Sequence, residues 1–199
     1  MAILDIRGTH GSGKSYVVHS LGRIYSTVVC GTSKPRIVSI EEGGVLLGSH
    51  IPEIDCAVLG SYARVCGGCD GIKTADEVVR RVRMFAERYR NVVLEGILVA
   101  HTHSRYSKLA TELRSKNYKF LFLNTPLETC IGRVRARRVQ SGNEKELNTS
   151  NIVKDWWRIL GNDDSVYEQM KTDGHYVKIL DWEDPVPAFL RELDPCPSQ

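Results

Sequence analysis

Ala2-Ile3-Leu4-Asp5-Ile6-Arg7-Gly8-Thr9-His10-Gly11-Ser12-Gly13-Lys14-Ser15 decides how the rest of the chain is read. Residues 2–6 are an apolar run, which predicts a strand. Residues 14–29 place Val17, Val18, Leu21 and Ile24 on one side, which predicts a helix. Between them stands G-x-x-x-x-G-K-S, in the strand–loop–helix setting that a phosphate-binding loop requires. Glycines at 8, 11 and 13 let backbone amides turn toward phosphate oxygens, and the positive end of the helix adds to the attraction. The whole loop, Gly8, Thr9, His10, Gly11, Ser12, Gly13, Lys14 and Ser15, is therefore expected to hold ATP. Lys14 would bridge the β- and γ-phosphates and the Ser15 hydroxyl would ligate Mg²⁺.

Working outward, short apolar runs alternate with helical periodicity, the pattern of a parallel α/β sheet. Further strands are predicted over 36–40, 91–96, 118–123 and 176–180, and residues 43–72 are the least regular stretch. Thr74 and Glu77 form a capping box. The helix they open carries Val78, Val82, Phe85 and Tyr89 as one apolar stripe. Its other faces carry Arg80, Arg81, Arg83, Arg88 and Arg90, either a solvated surface or a track for a nucleic-acid backbone. A helix over 104–116 follows. Asn124-Thr125-Pro126 then opens an arginine-rich helix ending near 138. Residues 150–170 read as helical around Trp156-Trp157, with a break at 161–163, and a short helix precedes Asp194.

With 199 residues, 42% of them hydrophobic, a single domain spanning 1–199 is expected, with a lid over about 126–150. The net charge of +3 is unevenly spread. Residues 73–138 carry 15 basic against 6 acidic side chains, and residues 139–199 carry 6 against 12. A basic middle beside an acidic tail suits a polyanion bound on one face. No charged, apolar leader precedes the first strand and no window is long enough to span a bilayer, so a cytoplasmic protein without membrane contact is expected. The six cysteines form no disulfide framework.

Three further groups carry chemistry. Glu95 ends the strand Val92-Val93-Leu94-Glu95 before Gly96, where open α/β sheets bind ligands; it can reach Mg²⁺ through water or accept the acceptor's proton. Arg133 and Arg137 are four apart on one helical face and can clamp a phosphoryl group as charge develops. Asp70 lies in the glycine-rich block of residues 59–72, where it either meets a substrate hydroxyl or serves as a turn residue, and Tyr62 offers a stacking face there. Cys66-Gly67-Gly68-Cys69 has metal-knuckle spacing, but a zinc site needs two more ligands and only Cys56 and His50 are near, at irregular spacing. His101 and His103 fall near the mouth of the site, and Trp156-Trp157 read as packing between core and lid.

With these residues in place, nearly the whole chain resembles the P-loop nucleoside and nucleotide kinase superfamily. That resemblance implies a three-layer α/β/α fold with a five-stranded parallel sheet ordered 2-3-1-4-5 and a helical arginine lid. The phosphate loop, the block 59–72 and Glu95-Gly96 are similar to the bacteriophage kinases that phosphorylate 5-hydroxymethyluracil in DNA. This implies ATP and Mg²⁺ as cofactors and DNA containing 5-hydroxymethyluracil as partner, in a step toward hypermodified thymine. Lys14, Asp70, Glu95, Arg133 and Arg137 are the catalytic candidates, with either Asp70 or Glu95 as the base. A kinase of free nucleosides or nucleotides would use the same machinery, and a P-loop ATPase acting on a protein or nucleic-acid partner is the remaining reading. A stacked base must be flipped or approached through the major groove, and the residues alone do not choose between these routes.

Overall fold

The computed structural model describes residues 1–27, 37–63, 67–143 and 145–195. The strands are β1 (Ala2–Arg7), β2 (Val38–Glu42), β3 (Val45–Ile51), β4 (Cys56–Leu59), β5 (Asn91–Glu95), β6 (Tyr118–Leu123) and β7 (Tyr176–Leu180). The helices are α1 (Lys14–Thr27), α2 (Ala75–Arg88), α3 (Ile97–Ala100), α4 (Ser104–Glu112), α5 (Leu127–Gln140), α6 (Ser150–Trp156), α7 (Val166–Thr172) and α8 (Pro185–Leu190). A π-helical turn, Trp157–Gly161, continues α6 and ends before Asn162, where the helical pattern was expected to break. The expectations for residues 28, 29, 36 and 66 lie outside the described residues.

The sheet has seven strands, ordered β2-β3-β4-β5-β1-β6-β7, which corrects the expected five. Strands β4, β5, β1, β6 and β7 run parallel; taken alone, in chain order, they stand 2-3-1-4-5. The two extra strands form an antiparallel hairpin closed by Gly43-Gly44 and paired onto β4. Of the run over 36–40, Val38, Ser39 and Ile40 are thus part of an edge strand, whereas the second parallel position belongs to Cys56–Leu59. Those four residues are buried on both faces and too short to show periodicity.

Alternation along β1 sets up the layers. Ile3 packs with Val82, Phe85 and Phe120 on the face covered by α2, α4 and α7. Leu4 and Ile6 pack with Val17, Leu21 and Phe189 on the face covered by α1 and α8. Both faces being covered, the central strands are continuously apolar, as parallel strands usually are. On β1 the exceptions are Asp5 and Arg7, fully buried and paired at 2.8 Å. Arg7 also donates to Thr102 O at 2.9 Å and lies over the rings of Tyr106 and Phe120, while Tyr118 donates to Asp5.

The cap of α2 forms by half: Thr74 Oγ1 accepts from the Glu77 amide at 3.2 Å. The Glu77 carboxylate turns instead to Arg80 and Arg81, each at 2.7 Å. Along this helix Arg80 also meets Glu42, and Arg83 meets Glu112. Arg80, Arg81 and Arg83 are thus matched by carboxylates of this same chain. Among the described residues no helix is long and apolar enough to cross a membrane.

Candidate active site

The loop between β1 and α1 lines a cavity of about 660 Å³ at the carboxyl ends of the parallel strands, together with Asp70, Glu95, Arg133 and Arg137. All five catalytic candidates from the sequence therefore meet at one place. Gly11 adopts φ 79°, and a Cβ there would run into the backbone carbonyl of Cys130, so a glycine lets α5 sit directly on the loop. Arg133 reinforces that seat. Its Nη1 donates to Gly11 O at 3.3 Å and its guanidinium lies 5.2 Å from the centre of the Trp182 ring. Thr125 donates to Ser12 O, and Trp156 Nε1 donates to Thr125 O, which ties α6 to the same assembly.

Lys14 is 7% exposed and folds over the loop, donating to Gly8 O at 2.7 Å and Thr9 O at 3.0 Å. Those carbonyls hold the ammonium in the place where phosphate oxygens would compete for it. Ser12 Oγ is buried without a hydrogen-bond partner. A buried orphan hydroxyl is costly unless something completes it, and a phosphate oxygen would do so. Ser15 Oγ donates to Glu95 Oε1 at 2.9 Å. Hydroxyl and carboxylate oxygens at the floor of a phosphate cavity fit a hard cation such as Mg²⁺, which keeps much of its shell as water and phosphate.

Glu95 is 1% exposed, and burial raises its pKa against the opposing pull of Lys14 and Ser15. The turn at Gly68 and Cys69 is folded onto it. Gly68, at φ 77°, brings its backbone so close that a Cβ would lie 2.6 Å from Glu95 Oε1. Asp70 Oδ1 accepts from the Ile97 amide at 2.7 Å and, more loosely, from Leu98, capping α3 directly after Gly96. Asp70 thus serves α3, and its side chain also lines the cavity. Cys69 is 1% exposed, and burial followed by the Glu95 charge pushes its thiol well above the usual range. A protonated, enclosed thiol is a poor zinc ligand.

His10 and His101 flank Asp155 of α6 at 4.0 and 3.7 Å, and burial lowers both imidazole pKa values. His103 instead pairs with Asp173, at 2.8 Å. Sequence reasoning missed His19 and Arg23 as cavity residues, although Ser15, His19 and Arg23 recur every four residues on one face of α1. Trp182 and Asp155 had no such signal, being brought in by tertiary packing from far along the chain.

A family model described as 5-hmdU DNA kinase matches residues 2–172. The 5-hmdU DNA kinase of Pseudomonas phage PaMx11 is 31% identical over 147 residues, covering 72% of each chain. That of Delftia phage PhiW-14 is 27% identical over 179 residues, covering 83% of this chain and 64% of that protein. That of Pseudomonas phage M6 is 25% identical over 190 residues, covering 92% of both. Among solved structures, a gluconokinase from Sinorhizobium meliloti 1021 aligns at TM-score 0.43 and 18% identity, over 96% of this chain and 89% of that one. The chain belongs to the 5-hmdU DNA kinase family.

Proposed function

We propose that this protein transfers the γ-phosphoryl group of ATP to the hydroxymethyl oxygen of 5-hydroxymethyluracil in DNA. The observation that carries the reading is the Ser15–Glu95 hydrogen bond beneath the phosphate loop, with Lys14 on the same floor and Arg133 and Arg137 lining the same cavity. In the reaction the acceptor oxygen forms a bond to the γ-phosphorus while the bond to the β,γ-bridging oxygen breaks, and ADP leaves with that electron pair. The hydroxyl proton passes to Glu95, the carboxylate at the floor of the cavity, whose pKa burial raises above the ordinary glutamate value. Asp70 is the positioning residue, holding Gly96 and α3 against that base. The loop residues Gly8 to Ser15 bind the triphosphate, and Lys14, Arg133 and Arg137 offset the charge spread over the transferring group. Mg²⁺, bound with the nucleotide and held by Ser15, would neutralise phosphate charge. The segment around α5 serves as the lid of one nucleotide-binding domain.

The test is an acceptor screen with γ-labelled ATP. Label is expected on an oligonucleotide carrying 5-hydroxymethyldeoxyuridine and absent from the same oligonucleotide carrying thymidine. Label on free mononucleotides alone would assign the chain to nucleotide phosphorylation instead.

A further inference from the structure

Resting on that reading, a second cavity bears on how the acceptor reaches the phosphate. Lys14 and Glu95 are 7% and 1% exposed, so the reacting groups lie on a floor, below the protein surface. A hydroxymethyl group extends one carbon and one oxygen beyond its ring. In a paired duplex that ring edge lies within the major groove, between two phosphate ridges. The duplex cannot follow so short an arm down to a buried carboxylate.

A cavity of about 360 Å³ opens beside the first, between α1 and the β2–β4 strands, and His19 lines both. Its size suits one small ring system and is far too small for a base pair with its backbone. Val18, Ile51 and Val58 give it apolar walls, as the faces of a pyrimidine need. Ser39 and Ser49 stand directly opposite each other across β2 and β3, and Ser61 lies in the same lining. Hydroxyls both donate and accept, so they match the N–H and carbonyl edge of a uracil. Tyr62 marks the passage between the cavities: its ring stands edge-on to His19, with centroids 5.6 Å apart. Its hydroxyl is buried beside the Glu95 carboxylate. The nearby Glu95 charge adds to burial in pushing that phenol well above its usual pKa.

We infer that the enzyme takes the hydroxymethylated base out of the helix stack and seats it between α1 and the β2–β4 strands. The hydroxymethyl group then passes His19 and Tyr62 into the phosphate cavity. Flipping costs unstacking and unpairing, so a weakened pair should react faster.

The test compares three oligonucleotides of one sequence with the unaltered protein and γ-labelled ATP: single-stranded, with the modified base opposite adenine, and with it opposite an abasic site. The abasic-opposed duplex is expected to exceed the adenine-paired one in kcat/KM by roughly tenfold or more, with the single strand at least as good as the paired duplex. An adenine-paired duplex that equals or exceeds the other two overturns the inference while leaving DNA phosphorylation intact. Label on free nucleotides and on none of the three overturns the underlying reading as well. In addition, Ser49→Leu, which fills the second cavity, is expected to cut transfer to every DNA by roughly a hundredfold while a fluorescent ATP analogue binds as before. Unchanged transfer in that variant also overturns the inference. The oligonucleotide comparison decides the matter even if the variant does not fold.

Discussion

Glu95 answers to two demands that pull against each other. Packing places it at the end of a fully buried strand, where an ionised carboxylate is expensive; the proposed reaction needs it ionised. Its pKa is raised, so the folded state holds the proton more tightly than the unfolded chain. As pH rises through that value, ionisation subtracts from stability instead of adding to it. Glu95→Gln should therefore lower kcat by about 10²–10⁴-fold while its melting temperature at pH 8 stays at or above that of the unaltered protein. Asp70→Asn, which keeps an oxygen to cap Ile97, should lose less activity than Glu95→Gln. The reverse order would make Asp70 the base.

The hairpin β2–β3 and helix α2 show how elements stay in register at the rim of the site. Arg81 is nearly buried and divides its donors between Glu77 and the carbonyls of Leu46 and Leu47, pinning α2 to β3. Glu77 is held at a pKa of about 2 by its hydrogen bonds to Arg80 and Arg81. A carboxylate depressed in this way contributes stability above its unfolded pKa of about 4.3, and that contribution is lost as pH falls toward 2. Glu77→Gln should thus cost about 1 kcal/mol at pH 7, as partly screened pairs do. In urea melts the gap to the unaltered protein should close as pH falls from about 4.3 toward 2. A gap that persisted at low pH would mean that Glu77 acts through packing alone.

The molecule as a whole is organised around one strand. β1 lies at the centre of the parallel strands, carries a buried Asp5–Arg7 pair, and delivers the phosphate loop from its end. Arg7→Met should cost about 3–5 kcal/mol in chemical denaturation, because it strands the Asp5 carboxylate in the core. A loss below 1 kcal/mol would show that Asp5 takes up a proton at little cost. How much of this was legible follows from where each signal resides. The phosphate loop, the strand ending at Glu95 and the arginine pair on α5 were readable because each is a local pattern, with a spacing dictated by strand or helix geometry. β4 was not, since four apolar residues carry no period. The pairing of the α2 arginines was not, since a charge run looks alike whether it faces solvent or the carboxylates of Glu42 and Glu112. What the sequence by itself determined was a phosphate-loop pattern in its strand–loop–helix setting and which side chains could act on a nucleotide held there. What only the tertiary structure decided was that Asp70 caps α3 while Glu95 lies free of that duty, that Trp182 covers Arg133, and that a second cavity adjoins the first. These depend on contacts between residues far apart in the chain, and a one-dimensional pattern does not encode which of many compatible surfaces will meet.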